Sequence, residues 1–172
     1  FVFKVNHTPV FVNVDAEKAL LCEKQESLTE KERIYQLKNA PLLMDKFEAL
    51  KALTGTSDSL AQVAIFDLLN HEYWKVRSRS LNSLKKAYPL LNQAAVISKV
   101  HDMMLEDEKS SVRAAAMSFL QKISREAITT NDLAALLKDR SYKVSAKALE
   151  VLGDKNSTNA LTIAKSLEDE AE

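Results

Sequence analysis

Glycine is almost missing from this chain: there are two in 172 residues, 98 positions apart, with only three prolines beside them. So few breakers argue against a fold made of tight turns and point to a mainly helical protein. The same scarcity leaves no glycine-rich phosphate loop. Cysteine is limited to Cys22, so no internal disulfide and no cysteine-rich zinc site can form. Cys22 also lacks a neighbouring histidine or basic signature for a nucleophile and reads as a structural thiol. One cysteine fits a reducing compartment and equally an exported protein without disulfides, so localisation stays open between cytoplasm and periplasm or export. An excess of either charge is lacking too, with Lys plus Arg and Asp plus Glu at 24 each. A neutral chain gives no support for nucleic-acid binding, which draws on a basic face. No run approaches the roughly 18 apolar residues of a membrane helix, and no signal peptide opens the chain. The start at Phe1, within an apolar alternation, reads as a piece of a longer protein, so the missing leader says nothing about the parent.

What is present is 46% apolar residues, enough for a core in one or two compact domains. Residues 1–22 differ from the rest. Phe1, Phe3 and Val5 alternate with Val2, Lys4 and Asn6, and after Asn6-His7-Thr8-Pro9 come Val10, Phe11, Val12 and Val14. β-branched and aromatic residues around a proline-containing break predict two strands and a turn. A lone hairpin is marginal in water. It would therefore be the end of a preceding β-sandwich, or pair with another copy through residues 1–14.

From about Ala16 the pattern turns helical, and residues 23–172 read as one helical domain. Thr29-Glu30-Lys31-Glu32 is a capping box for a helix to about Asn39. Pro41 suits the first turn of the next helix, which ends near Thr54 with Gly55 as its stop. Further helices are predicted at 58–70, 73–87, 91–105, 110–124, 130–138 and 142–152, and a last one from Ser157 into the acidic Glu168-Asp169-Glu170.

The second helix of each pair repeats. Asp45-Lys46, Val76-Arg77, Val112-Arg113 and Val144-Ser145 align at offsets of 31, 36 and 32 residues. Ala49-Leu50, Ser80-Leu81, Ala116-Met117 and Ala148-Leu149 follow in register, then Leu53, Leu84, Leu120 and Leu152. Small then large apolar residues at fixed offsets place a tight contact and a knob on one face. A helix pair recurring at this length predicts an α-solenoid, whose units cannot bury their faces alone. The V-R-x-x-A pattern, with Asp107 and Asp139 ahead of its last two occurrences, resembles HEAT repeats over residues 29–172. The first unit departs from it with Asp45-Lys46 and the fourth with Ser145.

His71-Glu72-Tyr73-Trp74-Lys75 opens like the zinc signature H-E-x-x-H, but Lys75 stands where the second imidazole belongs, and a cation there repels a metal. The segment reads instead as a corner, with Tyr73 and Trp74 packing and Val76-Arg77 opening a repeat helix. His7 and His101 are isolated and read as turn and surface residues. Arg77, Arg79 and Arg113 would line a basic groove in a DNA-binding solenoid; the alternative is hydrogen bonding between repeats to Asp107 and Asp139, which overall neutrality favours. Met103, Met104 and Met117 lie in apolar stripes and read as core. No catalytic, cofactor-binding or metal-ligating residue is assigned in this chain.

The junction from strand to helix is more distinctive. Val10-Phe11-Val12-Asn13-Val14-Asp15-Ala16-Glu17-Lys18-Ala19-Leu20-Leu21, then Asn39-Ala40-Pro41 and Asp45-Lys46-Phe47-Glu48-Ala49-Leu50, resemble a segment of aminopeptidase N-like zinc aminopeptidases. There a small β-sandwich ends and the C-terminal helical domain begins; the bacterial branch, whose helical domain is HEAT-like, is the most similar. The match lies in residues 1–53. The resemblance implies a parent that removes N-terminal amino acids from peptides with one zinc, held by H-E-x-x-H and a downstream Glu. In this chain the corresponding downstream place after His71 is Ala94, and the family's G-x-M-E-N loop is absent, so zinc is expected in the parent and not here. The implied role is non-catalytic: to pack on the catalytic domain of the same chain and limit access of peptide substrates. A free-standing HEAT scaffold for another protein is the alternative, and a nucleic-acid-binding solenoid a third reading.

Overall fold

The computed structural model describes residues 4–20, 24–84, 93–155 and 157–169. Nine α-helices run through them: α1 Glu30–Asn39, α2 Leu43–Leu53, α3 Ser59–Asp67, α4 Trp74–Ser83, α5 Gln93–Glu106, α6 Ser110–Ile123, α7 Thr130–Leu136, α8 Tyr142–Lys155 and α9 Ser157–Asp169. They pair in order, α1 with α2, α3 with α4, α5 with α6 and α7 with α8. The second helices pack successively, α2 on α4, α4 on α6 and α6 on α8, as one continuous layer. The first helices lie behind that layer: α1 packs on α3, and the His101 Nε2–Asp132 Oδ2 contact of 3.0 Å ties α5 to α7. Helix α9 packs on α8 at the far end. This is the architecture of an α-solenoid.

The repeat register explains the stack. Val76, Val112 and Val144 are buried, as are the small residues Ala49, Ser80, Ala116 and Ala148 at their common offset. Leu50, Leu81 and Met117 fill the next place and Leu53, Leu84, Leu120 and Leu152 the last. Small residues let neighbouring helices approach, and each buried Leu contributes about 1.5–3 kcal/mol. Met103 and Met104 are core, as the apolar stripe implies.

Local signals set the helix ends. The Thr29–Glu32 capping box forms, with the Thr29 N–H donating to Glu32 Oε2 at 2.8 Å and the Glu32 N–H to Thr29 Oγ1 at 3.3 Å. Asp58 caps α3 through the Ala61 N–H at 2.8 Å. A second capping box, Thr129 with Asp132, opens α7. Past α2 the chain makes a type II turn, closed by the Thr56 N–H donating to the Leu53 carbonyl at 3.1 Å. Its third residue needs positive φ, and Gly55 has φ 88°. Pro41 does not open α2. Ala40 closes α1 in an extended conformation, which is what a residue ahead of proline prefers, so Pro41 falls in the connection. Helix α4 ends at Ser83, short of 87; residues 85–92 lie outside those described, as does Cys22.

Among the described residues the N-terminal part departs from two expectations. None of the described residues is in a strand, although residues 1–22 were expected to form two; Phe1, Val2 and Phe3 lie outside those described. Helix also begins at Glu30, not near Ala16. A strand exists by its ladder of backbone bonds, and Val10, Val12 and Val14 are exposed instead. A turn then breaks the chain. Asp15 and Lys18 have φ 50° and 54°, the Lys18 N–H donates to the Asp15 carbonyl at 3.0 Å, and the Asp15 carboxylate takes the N–H groups of Ala19 and Leu20 at 2.9 and 3.2 Å. A left-handed Lys18 cannot continue a right-handed helix.

Side chains hold this segment to the first helix pair. Asn13 Nδ2 and Lys18 Nζ both donate to the Asp45 carboxylate at 2.8 Å, and Lys18 reaches Glu48 at 3.2 Å. Asp45 is 0% exposed and occupies the place that valine holds in the other units. Burial works against the Lys18 ammonium, but the hydrogen bonds and charges of Asp45 and Glu48 outweigh it and raise its pKa. Removing the carboxylate in Asp45→Ala leaves Asn13 Nδ2 without its acceptor and Lys18 with Glu48 alone. It should lower stability by about 1–3 kcal/mol and speed proteolysis within residues 4–20. Unchanged cleavage there would contradict the anchoring role.

Candidate functional site

Two arginines of the second-helix layer are fixed in the same way. Arg77 Nε and Nη2 each donate to the Asp107 carboxylate at 2.8 Å, while Nη1 donates to the carbonyls of His71 and Glu72 at 2.9 and 2.8 Å. Arg113 grips Asp139 at 2.9 and 2.8 Å and the Asp107 carbonyl at 2.7 Å. Each arginine thus spans from the turn of its own unit to the turn of the next. The planar guanidinium makes this possible, because its fork matches a carboxylate while a third nitrogen faces elsewhere. Asp107 and Asp139 also accept the backbone N–H groups of Lys109 and Ser141 at 2.9 and 2.8 Å. For Asp139, burial opposes ionisation, but the Arg113 and Ser141 bonds outweigh it and hold the carboxyl below its ordinary range.

His71 takes the place of those aspartates in the second unit, six residues before the arginine. Its Nδ1 accepts the Tyr73 N–H at 3.0 Å, the same bond over two residues that Asp107 and Asp139 make. Burial first, then the Lys46 and Arg77 charges, lower its pKa below the ordinary 6.5. Glu72 points outward and offers its carbonyl to Arg77. Lys75 Nζ lies 5.6 Å from the centre of the Trp74 ring. These residues do not fit a zinc site: the imidazole serves a turn, and the second ligand place holds a cation. Among the described residues no group of three or more His, Cys, Asp or Glu is arranged to hold a metal ion.

The ladder stops at both ends. Lys46, in the arginine place of the first unit, donates to the Leu37 and Lys38 carbonyls at 3.1 and 3.4 Å and closes α1. Ser145, in the fourth, turns its hydroxyl to the Ser141 and Tyr142 carbonyls at the start of its own helix. Beyond it, Asp154 receives Gln121 and Arg125 at 2.6 and 2.8 Å, and Lys155 donates to the Ile128 carbonyl.

Arg79 is not part of the ladder. It lies on the free face of the second-helix layer, with its guanidinium carbon 4.0 Å from the centre of the Phe47 ring. That face carries a groove of about 450 Å³ whose floor is the small residues Ser111, Ala114, Ala115 and Ser118 of α6. Ser78 and Asn82 of α4 form one wall, and Lys143, Lys147 and Glu150 of α8 the other. A smaller hollow of about 210 Å³ between α2 and α4, with Lys51, Thr54 and Arg79, adjoins it at Asn82. Sequence reasoning did not pick out this groove. Its signal is the row of small residues on α6 flanked by lysines at the matching offsets on α8. His7 is exposed, and no helix among the described residues is long and apolar enough to cross a membrane.

Paired helices, a continuous second-helix layer and arginines bridging successive units define a helical-repeat protein. Residues 62–153, more than half the chain, match the family model of HEAT repeats, and the chain belongs to that family. No curated protein and no solved structure matches it.

Two outcomes test this site. Arg77→Lys keeps the charge but loses the fork, and denaturant unfolding should show a loss of about 2–3 kcal/mol. For His71, the unfolded state takes up the proton first, so stability is level above pH 6.5 and falls as the pH drops below it toward the lower folded pKa. His71→Asn retains an acceptor that does not titrate. The wild type should therefore lose stability relative to this variant between pH 7 and pH 5, and parallel curves would overturn the assignment.

Proposed function

We propose that this chain is a non-catalytic helical-repeat scaffold, the C-terminal domain of an aminopeptidase N-like zinc aminopeptidase. Its partner is the catalytic domain of the same parent, and its role is to shape the access of peptide substrates to a zinc site elsewhere. The observation that carries this reading is the junction. The two stretches resembling that family, residues 10–21 and 39–50, are joined side chain to side chain through Asn13 and Lys18 on Asp45 and Glu48. A preceding domain joined on the N-terminal side of this segment would meet the helical stack at that anchor. A sheet edge supplied by that domain would also give Val10, Val12 and Val14 the strand partners they lack among the described residues; self-pairing through residues 1–14 is the other source of such an edge.

A free-standing scaffold that binds another protein along the groove is the second reading, favoured by the groove itself. Nucleic-acid binding is weaker support for the fold's use, since Arg77 and Arg113 are spent on Asp107 and Asp139. The reading frame upstream of Phe1 and the purified proteins test the proposal together. The longer protein should contain H-E-x-x-H with its downstream Glu, bind stoichiometric zinc and hydrolyse an aminoacyl anilide, while residues 1–172 alone do neither. An upstream frame without that motif, or turnover by the isolated chain, would overturn it.

A further inference from the structure

The arginine ladder leaves one seam without a rung. Between the second and third helix pairs Arg77 grips Asp107, and between the third and fourth Arg113 grips Asp139. The first pair has Lys46 at the arginine place, and the second has His71 at the aspartate place. Lys46 Nζ is turned back onto the Leu37 and Lys38 carbonyls, and His71 Nδ1 onto the Tyr73 N–H. Among the described residues no ion pair joins the first helix pair to the second.

The turn edge of this seam is open. A hollow of about 460 Å³ parts Pro41, Leu43 and Lys46 of the first pair from His71, Glu72 and Tyr73 of the second. Atoms lining a void lack partners on one side, so the seam forfeits dispersion contacts there. Its opposite end is pinned, with Thr54 Oγ1 3.0 Å from Ser83 Oγ. Between the two ends α2 packs on α4, and Arg79 stacks on Phe47; such contacts tolerate small rotations. Residues 4–20 stay with the first pair, through Asn13 and Lys18 on Asp45 and Phe11 against the Tyr35 ring at 6.3 Å.

We propose that this seam is a hinge. The first helix pair, carrying the N-terminal segment, pivots about Thr54 and Ser83 and opens or closes the turn edge. The arginine rungs hold the other three pairs as one body. A hinge at the missing rung differs from even bending of the stack, which would spread the motion over every seam. On the parent reading above, a preceding domain would ride on the first pair, and the seam would set its swing against the rest. The hinge does not depend on that reading, and its test needs no parent protein.

Pulsed electron paramagnetic resonance between nitroxides on the full 172-residue chain, with Cys22→Ser, measures the motion. One labelled chain carries Met44→Cys with Lys109→Cys and crosses the seam; the other carries Lys75→Cys with Tyr142→Cys and crosses rungs only. Each couple reaches from one unit to the second after it, and all four side chains are exposed. The distance distribution across the seam should be about twice as broad as that across the rungs. Lys46→Arg with His71→Asp supplies the missing fork and carboxylate, and should narrow the seam distribution to the width of the other. Should that variant not fold, the comparison of the two labelled chains decides alone. Equal widths in those chains, or a folded double variant whose seam distribution stays broad, would overturn the hinge.

Discussion

The stack depends on the arginine that ties one turn to the next. Hydrophobic contact between second helices is strong but permissive, because rows of alanine and leucine tolerate sliding and rotation by small amounts. A guanidinium gripping a carboxylate at two points tolerates much less. Arg77 and Arg113 each fix the distance from their own turn carbonyls to a carboxylate in the following unit. Both pairs are mostly shielded from water, so losing one member leaves the other poorly solvated. The rungs therefore set the step from the second unit to the third and from the third to the fourth.

Where the rung is missing, other chemistry closes the unit. The first pair has Lys46 turned back onto α1, because the next turn offers an imidazole already occupied by Tyr73. Its Asp45 faces the N-terminal segment and binds that segment in place of a preceding repeat. At the other end Ser145 donates to the Tyr142 carbonyl within α8, and Asp154 draws Gln121 and Arg125 toward it. Both end units of the described stack thus differ from the middle ones in the chemistry that closes them.

Much of this was legible because the repeat makes four copies of one signal. Val76, Val112 and Val144 and the small residues after them carry the same burial that their spacing implies, and the pairing of Arg77 and Arg113 with Asp107 and Asp139 was the alternative that overall neutrality favoured. What escaped were features present once. Asp45 looks like a failed valine until residues 13–18 are seen to need its carboxylate. Lys75 already ruled zinc out at His71, but that its imidazole stands in for the turn carboxylates of Asp107 and Asp139 shows only in the structure. The run Val10–Val14 has strand composition, but composition cannot supply a neighbour to pair with. The groove went unnoticed because small residues on α6 read equally well as helix packing.

The central claim is that the arginine–aspartate rung couples successive units energetically. A double-mutant cycle at Arg113 and Asp139, with Arg113→Ala, Asp139→Ala and the double variant unfolded in denaturant, measures that coupling directly. The account predicts a coupling energy of about 1–3 kcal/mol, with the double variant little worse than either single one. Additivity of the two single losses within about 0.3–0.5 kcal/mol would contradict it and leave the stack to hydrophobic packing alone.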